Sequence, residues 1–358
     1  MEGLVDALGT FRGRRVLVTG STGFKGAWLC TWLVGLGAKV SGFALPAPPE
    51  EPLFDQLRCA KRIDQVYGDV RDQAALRAAV EKVQPEIVIH LAAQALVRRG
   101  YDMPDLTFDT NVIGGVQLME VLRTASSVRA LVFVTSDKCY LNKEWHLSYR
   151  ENDELGGADP YSASKAAAEI AFASYDRSFF ATQKNFVAAS TRAGNVIGGG
   201  DLSRDRIVPD CVRALTASAP IVLRNPDAIR PWQHVLEPLS GYLMLAACLL
   251  RQPDVGHGAW NFAPNVENVR TVHQLAQRVV AAWGQGKIVI NRDPGNPHEA
   301  NLLMLSADKA KLQLGWVPHW TFEQAIDSTV EWYRAVGAGQ DPVAVTDRQI
   351  ADFVASAH

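Results

Sequence analysis

The sequence has few cysteines and no long uninterrupted apolar run. Its five cysteines are Cys30, Cys59, Cys139, Cys211 and Cys248. They are scattered, odd in number and without CxxC spacing, which argues against a disulfide framework or a zinc site and is typical of a reducing compartment. No apolar run reaches the roughly 18 residues of a membrane span, and the N-terminus, with Glu2 and Asp6, lacks a signal-peptide pattern. These absences predict a cytoplasmic protein with no metal ion and no membrane partner.

An excess of either charge is also missing. The 36 Lys and Arg residues nearly balance the 38 Asp and Glu residues, which gives a formal net charge of −2. Because nucleic-acid binding needs a strongly basic face, we expect no nucleic acid partner. The 358 residues, of which 47% are hydrophobic, suffice for one extended α/β unit or for two domains.

Apolar segments typical of strands alternate with helical ones through the N-terminal half. The pattern predicts strands over residues 15–18, 39–44, 66–69, 86–90, 130–134 and 186–190, and helices over 27–36, 73–83, 111–123 and 160–180. Continuous apolar strands between helices predict a parallel sheet with both faces covered. The predicted fold class is α/β, a Rossmann-type doubly wound parallel sheet with a smaller C-terminal α/β lobe for substrate. We expect a first domain over 1–190 and the lobe over 191–358, with a soft boundary and interleaved segments.

A glycine-rich loop lies between the first predicted strand and the first predicted helix. Gly20, Gly23 and Gly26 stand in the stretch Thr-Gly-Ser-Thr-Gly-Phe-Lys-Gly over residues 19–26. Glycines let the backbone turn tightly and bring N–H groups to a pyrophosphate at a helix N-terminus, where the helix dipole favours an anion. The strand–loop–helix context favours dinucleotide binding over a plain structural turn.

The residues that would choose between NAD and NADP are less informative. The end of the second strand, residues 42–46, has neither a carboxylate for a ribose 2′-OH nor an arginine for a 2′-phosphate. Lys25 could bind NADP, or it could contact neither cofactor. Asp69 and Val70, after the third strand, could contact adenine, although a lone aspartate at a strand end also forms turns. On the residues alone, the choice of cofactor stays open.

Tyr161 and Lys165 stand at positions i and i+4 of a helix that Asp159 is expected to cap. An ammonium near a phenol lowers the pKa of the phenol from its unperturbed value of about 10. The phenolate can then remove a proton from an alcohol while a hydride leaves the carbon for nicotinamide. The alternative is an exposed helical pair with only a small effect on stability.

Ser136, Asp137 and Lys138 follow a buried strand at its carboxyl end, where doubly wound folds bind ligands. Ser136 can hydrogen-bond the same alcohol as Tyr161. An acid and a base beside it suggest a second proton transfer: once a sugar C4 is oxidised, the C5 proton becomes acidic, and the C6 hydroxyl can leave as water. In this interpretation a neutral Lys138 is the base and a protonated Asp137 the acid, both in a desolvated environment. The alternative is a strand-end turn with a solvated ion pair.

Several stretches together carry a family resemblance: residues 20–28, 135–140, 149–153, 161–165, 192–201 and 229–238. They resemble the CDP-glucose 4,6-dehydratases of the extended short-chain dehydrogenase/reductase superfamily, over residues 12–335. The resemblance implies a hydro-lyase that converts CDP-glucose to CDP-4-dehydro-6-deoxyglucose, with tightly held NAD recycled internally. The choice of NAD comes from this resemblance alone.

The resemblance also implies roles for individual residues. The catalytic set is Ser136, Asp137, Lys138, Tyr161 and Lys165, with Lys138 where a related dehydratase has a glutamate base. The cofactor set is Gly20, Thr22, Gly23, Phe24, Lys25, Gly26, Asp69, Val70, Leu91, Ala92 and Ala93, together with Tyr161 and Lys165. The substrate set is Gln94, Asn195, Arg206, Arg230 and His234, with the arginines on the diphosphate and His234 equally open to a structural role. No role is assigned to His298 and Glu299.

Assembly and two rival functions complete the expectations. By likeness, the helices over 111–123 and 160–180 pack against their copies in a homodimer or homotetramer. A nucleotide-sugar 4-epimerase would oxidise C4 without needing Asp137 and Lys138. A non-catalytic NAD-sensing regulator would not need Ser136, Tyr161 and Lys165, whose presence argues against it.

Overall fold

The computed structural model describes residues 3–292 and 302–357. His298 and Glu299 lie outside the described residues. The strands are β1 (Arg15–Thr19), β2 (Lys39–Ala44), β3 (Asp64–Tyr67), β4 (Ile87–His90), β5 (Ala130–Val134), β6 (Val187–Ala193), β7 (Val196–Ile197), β8 (Ile221–Leu223), β9 (Ile229–Arg230), β10 (Gln233–His234), β11 (Gly258–Phe262), β12 (Arg270–Thr271) and β13 (Ile288–Ile290). The helices are α1 (Leu4–Leu8), α2 (Phe24–Gly35), α3 (Leu53–Gln56), α4 (Cys59–Arg62), α5 (Gln73–Val83), α6 (Val97–Asp102), α7 (Pro104–Phe108), α8 (Gly114–Leu122), α9 (Pro160–Ser178), α10 (Ile207–Thr216), α11 (Leu236–Arg251), α12 (Pro253–Gly256), α13 (Val272–Trp283), α14 (Phe322–Gly337) and α15 (Pro342–Ala355).

Seven parallel strands form the central sheet, in the order β11-β6-β5-β4-β1-β2-β3. The strand β1 lies between β2 and β4, and Val16 pairs with Val40 on one side and Ile87 on the other. The chain order reverses at this strand, and ligands of doubly wound sheets bind outside the carboxyl ends at such a reversal. The predicted fold class is confirmed.

Two cores cover the two faces of the sheet. In β1, Val16 and Val18 belong to the larger core, which includes side chains of α2, α11 and α14, whereas Leu17 faces the smaller core with α5, α8 and α9. Successive side chains of a strand point to opposite faces. The uninterrupted apolar runs of the sequence therefore follow from helices packing on both sides.

Most predicted elements agree with the structure within a few residues. The strand over 39–44, the helix over 73–83 and the strand over 130–134 have the bounds that the pattern predicts. The third strand begins earlier, at Asp64, because it is a half-exposed edge strand with a weak apolar signal. The helix predicted over 111–123 is α8, and a π-helical turn over Asp109–Ile113 joins it to α7.

The C-terminal half contributes both to the central sheet and to small additional sheets. Strand β11 pairs with β6 at the edge of the central sheet, and the predicted boundary at residue 190 falls inside β6. Three two-stranded sheets pair β7 with β10, β8 with β13 and β9 with β12. The division into two domains stays a prediction. Throughout the described ranges, no helix combines the length and apolar character that a membrane crossing requires.

Candidate active site

Two glycines leave no room for a side chain, one in the loop between β1 and α2 and one in the first turn of α2. Gly20 has a φ of +71°, and a Cβ there would lie 2.7 Å from the backbone nitrogen of Ala92. A Cβ on Gly26 would lie 2.1 Å from the carbonyl oxygen of Gly20. The loop therefore folds tightly against the segment that follows β4 and presents the N-terminus of α2, a cradle that fits a dinucleotide pyrophosphate.

Neighbouring strand ends hold this loop in place. The Thr22 hydroxyl donates to the carbonyl of Leu45 (2.9 Å), and the Ser21 hydroxyl donates to Oε1 of Gln65 (2.8 Å). The backbone N–H of Leu91 donates to Thr19 O (3.1 Å). The predicted cofactor residues Thr22 and Leu91 thus lie at one edge of the sheet, and Ala92 and Ala93 follow Leu91 there.

Two other predicted cofactor residues have protein partners. Arg71 forms a bidentate ion pair with the carboxylate of Asp69, with Nε 3.0 Å from Oδ1 and Nη2 2.6 Å from Oδ2. The hydrogen bonds from Arg71 hold the pKa of Asp69 below its usual value. Val70 is 5% exposed and belongs to the smaller core. A contact of either residue with adenine stays a prediction.

Lys25 lies inside the site and not at the end of β2, where a 2′-phosphate would bind. Its Nζ is 3.4 Å from the Tyr242 hydroxyl. Burial, together with the charges of Arg206 and Lys165, lowers the pKa of Lys25 to about 7, against an opposing effect of Asp137. The side chain is therefore part of the charged centre of the site.

The predicted catalytic residues converge at the carboxyl end of β5. The Ser136 hydroxyl donates to Oδ1 of Asp137 (2.9 Å) and forms a hydrogen bond with Tyr161. A single 3-10 turn over Asp137–Cys139 carries Asp137 and Lys138. From α9, whose first turn Asp159 caps as predicted, Lys165 places Nζ 6.0 Å from the centre of the Tyr161 ring. The structure thus brings the five residues together, while their chemical roles stay predictions.

Burial dominates the proton affinities in this cluster. It raises the pKa of Asp137, against the charge of Lys138 and the hydrogen bond from Ser136, which suits a proton donor. It also raises the pKa of Tyr161 to about 12, against the hydrogen bond with Ser136. The lowering of the Tyr161 pKa that the Lys165 ammonium was expected to cause is not seen, because desolvation raises this pKa instead. Burial lowers the pKa of Lys165 to about 8, and Glu169 opposes that shift.

The two predicted diphosphate arginines approach this cluster from the C-terminal half. Arg206 precedes α10 and forms an ion pair with Asp201 (2.9 Å), and its charge acts on Lys25 and Tyr161. Arg230 is 8% exposed, and its charge acts on Asp137. Both cations therefore lie within electrostatic reach of the predicted catalytic residues.

The remaining predicted substrate residues differ in accessibility. Asn195 is exposed after β6. Gln94 is buried, and its amide group bonds to the backbone of Leu96 and to the Thr107 hydroxyl, so the protein already occupies its polar atoms.

The structure does not bring His234 to the cleft. The side chain is fully buried, with ring centres 5.7 Å from Trp28 and 4.8 Å from Trp320. Burial lowers the pKa of His234 to about 3, so the ring is neutral. The sequence left two roles open for His234, a substrate contact or a structural residue. The observed packing between two tryptophans is that of a structural residue.

Sequence reasoning missed two charged residues behind the site, Glu169 and Arg192. They form a buried ion pair with an N–O distance of 2.8 Å. The available signals were the position of Glu169 four residues after Lys165 and the presence of an arginine in the buried strand β6. Within the part of the chain that the structure describes, no cluster of His, Cys, Asp or Glu could hold a metal ion.

Known proteins resemble the chain over nearly its whole length. A family model described as GDP-mannose 4,6 dehydratase matches residues 17–329. A CDP-glucose 4,6-dehydratase of Salmonella typhimurium is 43% identical over 350 residues, which cover 97% of this chain and 98% of that protein. An epimerase structure from Methanothermobacter thermautotrophicus superposes with a TM-score of 0.81 at 21% identity, over 94% of this chain and 96% of that one. A dTDP-glucose 4,6-dehydratase structure from Bacillus anthracis, in complex with NAD, superposes with a TM-score of 0.74 at 23% identity, over 92% and 99%.

Proposed function

The chain belongs to the GDP-mannose 4,6 dehydratase family, and from this premise we propose that it converts CDP-glucose to CDP-4-dehydro-6-deoxyglucose. The choice of CDP-glucose rests on the 43% identity to the Salmonella enzyme. The structural observation that carries the proposal is the buried carboxyl of Asp137 beside Ser136 and Tyr161. This arrangement puts a proton donor, Asp137, next to Ser136 and Tyr161, which suit the oxidation of an alcohol. A dehydratase needs both functions in one site.

The first chemical step is oxidation at C4 of the sugar. Ser136 orients the C4 hydroxyl, and Tyr161 as phenolate removes its proton while hydride leaves the carbon. The ammonium of Lys165 favours the phenolate over the neutral phenol. NAD, held by the loop of Gly20 and Gly26, supplies the hydride acceptor when bound.

The second step is loss of water across C5 and C6. The C5 proton is acidic because it lies α to the new C4 ketone. Lys138 takes this proton, and Asp137 gives its own proton to the C6 hydroxyl, which leaves as water. The resulting C5–C6 double bond would take back at C6 the hydride that left C4, while Lys138 returns its proton to C5. A proton then passes from Tyr161 to Asp137 through solvent, so the 4-keto-6-deoxy sugar forms with loss of one water and no net change of cofactor or side chains.

The diphosphate of the substrate would bind to Arg206 and Arg230. The planar guanidinium matches two phosphate oxygens at once. Asp201 holds Arg206 by an ion pair of 2.9 Å, which fixes the direction of its side chain. Asn195 is exposed and precedes Asp201 by six residues in the chain, and it would contact the same sugar diphosphate.

A homodimer or homotetramer is part of the same proposal. Phe108 in α7 is 38% exposed, Ile113 in the π-helical turn 45% and Ile170 in α9 60%. Covering such apolar side chains with a second copy would remove them from water. Light scattering of the purified chain tests this, with Ile170→Glu expected to shift the mass towards the monomer. A monomeric wild-type chain would contradict it.

The function is tested by incubating the purified chain with NAD and, separately, CDP-, dTDP-, UDP- and GDP-glucose. We expect a 4-keto-6-deoxy product, detected by its absorbance in alkali, with CDP-glucose turned over fastest. In the Asp137→Asn and Lys138→Met variants, substrate should still reduce the cofactor, but release of product should fall about 100-fold or more, the scale of one acid–base group.

Three results would contradict the proposal. Full turnover in both variants would separate the Asp137–Lys138 pair from the chemistry. Interconversion of C4 epimers without a keto product would indicate a 4-epimerase. Absence of turnover with all four nucleotide sugars, despite NAD binding, would indicate a regulator.

A further inference from the structure

A buried charged network lies directly behind the 3-10 turn over Asp137–Cys139, which we call the catalytic turn. Glu169 is 2% exposed, and its carboxylate accepts hydrogen bonds from Ser190 Oγ (2.8 Å) and Arg192 Nη2 (2.8 Å). The Thr135 hydroxyl donates to the other carboxylate oxygen. Thr135 is the residue immediately before Ser136, so Glu169 holds the backbone from which the catalytic turn starts.

The same network also holds the end of that turn. Arg192 donates from Nη1 to the Tyr140 hydroxyl (2.7 Å) and to the carbonyl of Glu151 (3.0 Å). The Tyr140 hydroxyl donates in turn to Oδ1 of Asn261 (2.8 Å). Because Tyr140 follows the turn over Asp137–Cys139, the ion pair is linked to the chain on both sides of Asp137 and Lys138.

Glu169 has a second relation to the site through helix α9. It stands one turn after Lys165, and residues at i and i+4 of a helix are neighbours on one face. Burial raises the pKa of Glu169, but the Arg192 charge and the hydrogen bonds more than offset this, so the pKa lies below its usual value and the group is ionised. Lys165 thus has a permanent anion beside it.

We propose that Glu169 is a positioning residue for both halves of the reaction: it anchors the turn that carries Asp137 and Lys138, and it keeps Lys165 protonated beside Tyr161. This inference rests on the proposed function. Glu169 has almost no accessible surface, so it acts through these neighbours and not on substrate.

Within residues 3–292 and 302–357, the other groups around Lys165 do not supply an equivalent anion. Those that face it are Tyr161 and Glu169 of its own helix, Cys139 of the catalytic turn, His90 of β4 and Lys25 of α2. Burial raises the pKa of Cys139 and lowers that of His90 to about 3, so both are neutral near pH 7. Lys25 is a competing cation. Among these groups, only Glu169 favours the ammonium by its charge at that pH.

The first test is Glu169→Gln, which keeps the shape and removes the charge. We expect the alkaline limb of the pH profile, on which Lys165 loses its proton, to move down by about one unit, so that kcat falls about tenfold at pH 9 and about twofold at pH 7, since one unit changes an ionised fraction tenfold. KM for the nucleotide sugar should stay unchanged. A second readout uses the chain without cofactor: acetic anhydride labelling of Lys165, followed by mass spectrometry, should show its titration midpoint moved to lower pH.

Two further variants keep the test decisive if the single variant does not fold. Glu169→Gln/Arg192→Met removes both charges, so no ion is left unpaired, and should show the same shifts. Thr135→Val breaks only the anchor to the turn. It should lower kcat about tenfold, less than the roughly 100-fold that a 1 Å misplacement can cost, without moving the pH profile.

Glu237→Gln is the matched control, because Glu237 is equally buried but lies in α11 with backbone partners from residues 319 and 320. It should leave kcat and the Lys165 midpoint as in the wild type. The inference is overturned if folded Glu169 variants keep the wild-type profile and labelling midpoint, or if Thr135→Val keeps the wild-type kcat. Failure of the proposed function is seen separately, as absence of product with the wild-type chain.

Discussion

Two buried carboxylates, one behind the catalytic turn and one in the C-terminal half, are accommodated in opposite ways. Glu169 and Glu237 are 2% and 1% exposed. Glu169 is paired with Arg192, and its pKa lies below the usual value. The Glu237 carboxyl accepts hydrogen bonds from the backbone N–H groups of His319 (3.0 Å) and Trp320 (2.7 Å), and burial raises its pKa to about 8.

The difference in ionisation state follows from the hydrogen-bond partners and neighbours of each carboxyl group. Glu237 joins α11 to the segment before α14, and a neutral acid can accept these backbone hydrogen bonds with little charge to desolvate. Glu169 stands one helical turn from Lys165 and behind Asp137, so that its charge acts within the group of residues that we propose to transfer protons. A buried ion is costly unless paired; Arg192 supplies that pairing, and under the role proposed above the charge of Glu169 acts on Lys165.

The largest expected effect tests the pairing directly. Arg192→Met should lower the free energy of unfolding by about 3–5 kcal/mol, because it leaves the Glu169 charge buried without its partner. Urea denaturation followed by circular dichroism measures this. Adding Glu169→Gln to the same chain should recover part of the loss. A single-variant cost under about 1 kcal/mol would mean that the pair is not what stabilises this region.

Sequence patterns predicted the N-terminal half of the fold better than the C-terminal half. The strand over 130–134 is apolar on both faces and has its predicted bounds, because helices cover both sides. The C-terminal half contains two-residue strands such as β9 and β10, which are too short to give a period. The joining of β11 to β6 depends on long-range pairing, which no local pattern reports.

The candidate site was predicted where local motifs define it. Ser136, Asp137 and Tyr161 converge because parallel strands end at one edge of the sheet and α9 begins there. Glu169 and Arg192 escaped prediction because their link runs between α9 and β6, and only the tertiary structure creates it. His234 was predicted as a substrate contact or a structural residue, and its placement between Trp28 and Trp320 depends on segments far apart in sequence.

The second-largest effect is expected for Glu237, whose contribution to stability should depend on pH. Because the folded pKa of Glu237 is about 8 and its ordinary value is 4.5, the unfolded chain releases this proton at lower pH than the folded chain does. The contribution of Glu237 to stability is therefore complete below pH 4.5 and is lost as the pH rises to about 8.

Glu237→Gln cannot titrate, so it should become more stable relative to the wild type by about 2–3 kcal/mol between pH 5 and pH 8, within the limit of about 1.4 kcal/mol per pH unit. Urea denaturation at each pH measures the difference. A difference that stays constant with pH would show that Glu237 is ionised when folded, and would remove the contrast with Glu169.

The smallest effect is expected for an ion pair of similar geometry in solvent. Arg278 in α13 contacts both carboxylate oxygens of Asp327 in α14, with Nε 2.9 Å from Oδ1, but the two side chains are 36% and 45% exposed. Arg278→Ala should change the free energy of unfolding by no more than about 0.5 kcal/mol, because water already solvates both charges. The difference should shrink further at high salt, which screens exposed charges, whereas the cost of Arg192→Met should persist. If Arg278→Ala lowered the free energy of unfolding by more than about 1.5 kcal/mol, bidentate geometry, and not burial, would set the strength of the Glu169–Arg192 pair.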